Sequence, residues 1–475
     1  MEIKLGKNQY LLSEREDITG YRCKIHIDQY YMYLGDACNC YEYKSKIYVV
    51  GYAVDVEKPH YTIEEMCAEL DNKLAQGLIG PESTRDWNGR WIILVLTEQG
   101  IAAWGDCCGL KQLFYNVGEG IFCIASQARY IAQIYGYEED PIAEAYIKQA
   151  EEMDKEYSWP LNKTAYADVK RLLPNHYILG GRVSRASLNK EQGSPQRAAT
   201  LIANSLSAAS KIAPLAVTLT AGWDSRLVLS GCTNIDNYSA VTLMYDWMDL
   251  GHQDIRTAEA LAKKKKIEYR LIDCGNVSNE FRTEYMQHSE YGHEYWIQMA
   301  QAVIDGGFSR SFWVKGSCNE IIRNSFGVLY NWQVNAKVLC KLFKLPYVPY
   351  VIEALNDWLP EAKKYCKTNQ ISVLDLFYWE HRMGSWLAEC LNEADISGEM
   401  FSPFNSRVYI ENGVSAKKNE RISPDYRFFK NMILYSDLLL SQIPVNDQRY
   451  AGLRMKIKII VKNRLHLVYG LLLRL

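Results

Sequence analysis

The chain has no Cys-x-x-Cys pair and no histidine cluster that would complete a metal site. Its 13 cysteines are scattered, with a lone Cys38-Asn-Cys40 pair, and it has 8 histidines. Structural zinc is therefore not expected, and reduced thiols are. Positive charge is not in excess either. The formal net charge is −2 and no basic stripe interleaves with the 34 tyrosines, so no electrostatic reason exists to expect a nucleic-acid partner. The opening Met1-Glu-Ile-Lys-Leu5 lacks the apolar core of a secretory signal, and no run approaches the length of a membrane span. A cytoplasmic protein is expected. A Walker A loop is missing too, because no Gly-Lys-Ser/Thr follows a strand in the right setting.

What is there is 475 residues, 48% apolar and 23% charged, the composition of a globular chain too long for one ordinary core. The most informative stretch runs from Leu215 to Ser230. Leu215–Thr220 is an apolar, β-branched run that reads as a buried strand, and Leu227–Leu229 reads as the opening of a helix. Between them lies the turn Ala221-Gly-Trp-Asp-Ser225, in which Asp224 or Ser225 can cap the helix. A strand that turns tightly into a helix gathers backbone N–H groups and the positive helix end at one point, which suits an anion. After it, Tyr238–Met244 and Ile267–Ile272 read as strands and Asp254–Lys264 as an amphipathic helix. Such alternation predicts a parallel sheet with ligands beyond the carboxyl ends of its strands. The first 135 or so residues read instead as short strands split by turns, with a helix over Ile63–Leu78. A boundary is expected between about 185 and 197, where Ser, Asn, Gly and Pro collect.

Thr220-Ala-Gly-Trp-Asp-Ser225 resembles the Ser-Gly-Gly-x-Asp-Ser pyrophosphate (PP) loop of ATP pyrophosphatases, with Thr for Ser and Ala for the first Gly. In the first half, Asn88-Gly-Arg-Trp91, then Asp106, Gly109, Lys111, Leu113 and Tyr115, then Ala125-Ser-Gln127, resemble the glutaminase domain of asparagine synthetases. Arg171–Tyr177 resembles the segment that ends that domain. Trp313-Val-Lys-Gly-Ser-Cys-Asn-Glu-Ile321 resembles the synthetase segment Gly-Glu-Gly-x-Asp-Glu, with Glu320 on its last Glu, Asn319 in place of Asp and Gly316 in place of the catalytic Glu. Arg382 falls in a stretch that the family folds as a helix, and Phe401–Arg407 and Ile443–Asn446 resemble later landmarks. The chain is thus similar to a full-length asparagine synthetase in the order of its landmarks, with one large departure. Family glutaminases need a cysteine after the initiator methionine, and this chain has Glu2 there, with Cys23 the next cysteine. A carboxylate cannot replace an attacking thiolate.

The resemblance implies a degenerate glutaminase-like antiparallel domain over 1–190 and a PP-loop parallel-sheet domain over 191–452, followed by a basic amphipathic tail over 453–475. It implies activation of a carboxylate by ATP as an acyl-adenylate, with pyrophosphate released, and capture by a nitrogen donor other than self-hydrolysed glutamine. ATP and Mg²⁺ are the expected cofactors. Thr220, Ala221, Gly222, Trp223, Ser225 and Arg226 would hold the phosphates, Thr218 and Val241 would meet the adenine, Gly316 would line the pocket, and Asp224 would hold Mg²⁺. Asp224 and Glu320 are the acidic catalytic candidates, and Lys430 and Lys456 the candidates for a cation at the transition state. Two alternatives stand beside this reading: a tailoring ligase for a peptide or surface glycan, and an ATP-binding protein that has lost ligase chemistry. The tail mixes Arg454, Lys456, Lys458, Lys462, Arg464 and Arg474 with Ile, Leu and Val, a pattern that suits either a terminal helix packed on the second domain or peripheral contact with an anionic membrane surface.

Overall fold

The structure is a computed structural model. It describes all residues except 119, 120, 154–156, 191, 291, 324, 325, 327, 328, 446–468, 471, 472, 474 and 475. Asn446, Lys456 and nearly all of the basic tail lie outside the described residues.

Two antiparallel six-stranded sheets form the first part. In spatial order one consists of Lys170–Arg171, Phe114–Gly118, Ile121–Ala125, Tyr10–Ser13, Tyr30–Leu34 and Cys23–Ile27. The other consists of Arg182–Arg185, His176–Leu179, Gly100–Gly105, Trp87–Thr97, Ile47–Asp55 and Cys40–Tyr43. The period-two alternation of a strand decides what each face buries. Leu12, Met32, Leu34 and Ile124 from the first sheet meet Tyr48, Val50, Ile92, Leu94 and Ile178 from the second. On the far side of the second sheet, Val49, Trp91, Ile93 and Val95 pack on Met66, Cys67 and Leu70 of the helix Ile63–Ala75. That helix starts at a capping box: Thr62 Oγ1 accepts from Glu65 N–H at 3.3 Å, and Glu65 Oε2 accepts from Thr62 N–H at 2.7 Å. Sequence reasoning overran its end, placing it at Leu78. The strands Tyr10–Ser13 and Cys23–Ile27 were not expected.

The second part is built on a five-stranded parallel sheet in the order Tyr269–Asp273, Tyr238–Met244, Leu215–Thr218, Phe312–Val314, Met400–Phe401. The last sandwich strand ends at Arg185 and the first helix of this part begins at Pro195. Starting from the central strand Leu215–Thr218, the chain steps outward twice on one side. It then crosses back to lay Phe312–Val314 on the other, so the strand order reverses beside the central strand. Ligands in open α/β sheets collect at such a reversal, outside the carboxyl ends of the strands.

The two parts share a buried seam. Arg90, 3% exposed, forms a two-pronged ion pair with Asp395 at 2.6 and 3.1 Å. Asn405 donates to Gly89 O at 2.7 Å and to Asp106 Oδ1 at 2.9 Å, and accepts from Cys108 N–H at 2.9 Å. Gly89, Arg90 and Asp106 thus fix the first sandwich and the segment 395–405 to each other.

Candidate functional site

The reversal point carries a cleft of about 870 Å³, lined by Thr218, Thr220, Asp224 and Ser225 on one side and Lys315, Gly316, Ser317 and Glu320 on the other. Val241 to Tyr245, Trp247, Met248 and Asp254 complete its wall. The central strand leaves its hydrogen-bonded run at Thr218, the chain turns through Leu219–Gly222, and the helix Trp223–Gly231 begins at once. Gly222 is the N-cap and makes no side-chain cap bond, so neither Asp224 nor Ser225 serves as the cap; both lie in the first turn, facing the cleft.

The turn is held by its own side chains. Ser225 Oγ accepts from Thr220 N–H at 3.1 Å and lies 3.0 Å from Thr220 Oγ1, Gly222 N–H donates to Thr220 Oγ1 at 3.3 Å, and Ala221 N–H donates to Asp254 Oδ1 at 2.8 Å. Thr218 Oγ1 donates to Val314 O at 2.8 Å and ties the central strand to its neighbour.

Asp224 is the most constrained acid of the site. Its Oδ1 accepts from Asn319 Nδ2 at 2.6 Å and its Oδ2 from Arg323 at 2.6 Å. Asn319 is itself fully buried and accepts from Tyr409 Oη at 2.6 Å. An amide at position 319 donates to Asp224 where a second carboxylate would repel it. Next to this pair stands Glu320, whose Oε2 is buried and finds no hydrogen-bond partner. Burial, and then the charge on Asp224, push the Glu320 carboxyl up to about 7, against the pull of Arg323. Burial works against the charge of Arg323, yet Asp224 and Glu320 outweigh it and hold the guanidinium above its ordinary value.

Gly316 has a steric reason. A Cβ there would stand 2.8 Å from Asp224 Cβ and 3.1 Å from Ser225 N, so the turn after Phe312–Val314 can touch the start of the helix only without a side chain.

Several expected residues sit elsewhere. Arg226 is fully buried, but it points away from the cleft and donates to Leu440 O at 3.3 Å, to Ile443 O and to Pro444 O at 3.1 Å. It follows Asp224 by two residues, about 200° around the helix, and so cannot share its face. Trp223 packs against Tyr426, with ring centroids 5.9 Å apart, and does not line the cleft. Lys430 is exposed on the helix Arg427–Ser436, also outside the cleft. Arg382 lies with its guanidinium 3.5 Å from the Trp386 ring centroid, in a π-helical stretch.

Sequence reasoning missed Lys315, Arg323, Tyr409, Asp254, Tyr245 and Trp247. Lys315 carried a usable signal, since it directly follows a strand of a parallel sheet. Trp247, 71% exposed, stacks nearly parallel on Tyr245 at 6.1 Å on the rim of the cleft. Among the described residues no group of three or more His, Cys, Asp or Glu side chains is gathered for a metal, and no helix is long and apolar enough to cross a membrane.

No protein-family profile matches the chain, and no curated protein matches it. Among solved structures, the glutamine-dependent NAD+ synthetase of Acinetobacter baumannii in complex with ADP shares 12% identity over 33% of this chain, with a TM-score of 0.21. This chain covers only 32% of that enzyme's length. NMN synthetase of Francisella tularensis shares 16% identity over 39% of this chain and 92% of its own, at a TM-score of 0.24. The glutamine PRPP amidotransferase of B. subtilis shares 12% over 59% of this chain and 64% of its own, at 0.19. Likenesses this slight place the chain in no family.

Proposed function

We propose that the protein is an ATP-dependent, carboxylate-activating ligase that forms an acyl-adenylate and releases pyrophosphate. The observation that carries this is the turn Leu219–Gly222, which points Thr220, Asp224 and Ser225 into a cleft at the strand-order reversal. A helix N-terminus with two hydroxyls suits the terminal phosphates. Thr218, Val241 and the stacked Tyr245–Trp247 pair offer the nucleobase an apolar and aromatic wall. Asp224 and Glu320, whose Oε2 has no partner, fit Mg²⁺, which commonly takes one or two protein carboxylates and completes its shell with phosphate oxygens and water. When bound, Mg²⁺ would neutralise the departing pyrophosphate. Arg323 holds Asp224 in place until then, and Gly316 keeps the two turns close enough for one ligand to touch both. A substrate carboxylate oxygen attacks the α-phosphorus, the bond from that phosphorus to the bridging oxygen breaks, and a nitrogen nucleophile then displaces AMP.

Incubating the protein with MgATP and a panel of amino acids, peptides and uronic acids, and separating the nucleotides, tests this. One acid should yield AMP and pyrophosphate in equal amounts, and its identity separates an amino-acid ligase from a peptide or glycan tailoring enzyme. ADP and phosphate as products would contradict the proposal. A second reading, that of an ATP-binding protein without ligase chemistry, draws on Gly316 and Asn319 and predicts nucleotide binding with no cleavage for any acid.

A further inference from the structure

A second cavity, of about 740 Å³, lies at the opposite end of the parallel sheet. Lys7, Asn8 and Lys111 of the first part line it together with Arg310, Phe312 and Glu399 of the second. Phe312 opens the strand whose far end leads to Gly316, so roughly 10 Å of strand separates this cavity from the first cleft. Its wall is cationic. Lys111 is 5% exposed, and of its three ammonium donors one is used, on Asn8 O at 3.0 Å. Lys7 donates to Ile396 O at 3.1 Å. Among the described residues neither lysine nor Arg310 has a carboxylate within ion-pair distance. The carboxylate on the cavity wall, Glu399, pairs with Arg90 at 3.2 Å, and Arg90 is shared with Asp395. Burial raises the Glu399 carboxyl, while Arg90, Lys111 and Lys7 all pull it down, so these three cations gather around one point.

Asn8 adds an unused polar group. It is 4% exposed, and its side-chain amide has no hydrogen-bond partner among the described residues. Its backbone sits at a φ of 61°, in the left-handed region that asparagine tolerates at some cost and that clusters at ligand sites. A buried ammonium and a buried amide left short of partners both cost free energy, and one ligand that accepts from both recovers it. The charges select the kind of ligand. Lys7, Lys111, Arg310 and Arg90 stand against Asp395 and Glu399, so the cations are in excess by two. A phosphate monoester brings a charge of about −1.5 to −2 at pH 7 and three acceptor oxygens. Tyr52 and Phe312, with ring centroids 4.6 Å apart, and Ala213 offer its organic part an apolar wall.

We propose that this cavity is a second ligand site, which takes a small phosphate monoester with its phosphate held by Lys7, Asn8 and Lys111. It stands whether or not the first cleft binds a nucleotide. Isothermal titration of the full chain at low salt, where screening is weak, tests it with glycerol 3-phosphate, glycerol and succinate as probes. Glycerol 3-phosphate binds, glycerol does not, and succinate binds more weakly. Lys111→Met and Lys7→Met each weaken glycerol 3-phosphate roughly tenfold to a hundredfold, as the loss of one charge-assisted contact implies. Lys7 is only half-buried, so its variant keeps the test decisive if Lys111→Met fails to fold. Hydrogen–deuterium exchange then locates the ligand, with protection expected in peptides covering 5–12 and 308–313. Protection confined to 215–231 would put the phosphate in the first cleft and overturn the proposal. So would undiminished affinity in the lysine variants, succinate binding as tightly as glycerol 3-phosphate, or no binding by the wild type.

Discussion

Two charge-assisted hydrogen bonds converge on Asp224, while Oε2 of the neighbouring Glu320 is buried and receives none. The consequence is a pH dependence with a defined sign. The native Glu320 carboxyl titrates at about 7 instead of its ordinary 4.5. Between those values the folded chain holds a proton that the unfolded chain has lost, so this group makes stability fall as pH rises through that window. Glu320→Gln cannot ionise. It should melt with the wild type at the acid end and above it at pH 8, and thermal melting across this range measures the difference. Equal slopes for the two proteins would mean that Glu320 is paired in solution. At this scale the sequence was legible in part. Thr218, Thr220, Ser225, Asp224, Val241, Gly316 and Glu320 line the cleft, since each sits within a few residues of a strand end. Lys430 does not, because nothing local determines which remote cation folds toward a strand end. Arg226 is a different kind of miss, since the angle between positions 224 and 226 of one helix already keeps the two side chains on different faces.

The helix Trp223–Gly231 and the turn at Gly316 behave as one element, because their backbones touch. Gly316 does not have a positive φ, so a side chain there meets no conformational penalty, only the collision with Asp224 and Ser225. Gly316→Ala should force the helix start outward, lowering stability by about 1–3 kcal/mol and weakening ATP binding at the same time. Wild-type melting and wild-type ATP affinity in this variant would show that the contact is slack. The strands and helices of the parallel sheet were legible where the apolar run was long enough, as in Leu215–Thr218 and Tyr238–Met244. Met400–Phe401, a two-residue strand, has no periodicity to read and joins the sheet only through its neighbour Phe312–Val314.

Across the whole molecule, the first, antiparallel part serves as a platform. Its motif residues Gly89, Arg90 and Asp106 hold the segment 395–405. That segment reaches the cleft directly, since Ser402 Oγ donates to Ser317 O at 2.6 Å. The spacing of these residues along the sequence could not show that they form a seam, because their partners Asp395 and Asn405 lie 305 and 299 residues away in the chain. Arg90→Ala would leave Asp395 buried without its partner, at a cost of about 3–5 kcal/mol. Chemical denaturation should show that loss, and an ATP affinity that falls with it would tie the seam to the site. The central claim is that the turn after Leu215–Thr218 binds ATP. Hydrogen–deuterium exchange of the full chain with and without MgATP tests it without knowledge of the acid. The account predicts slower exchange in peptides covering 215–231 and 312–323, lost in Asp224→Ala. Protection confined to other segments, or none at saturating MgATP, would contradict it.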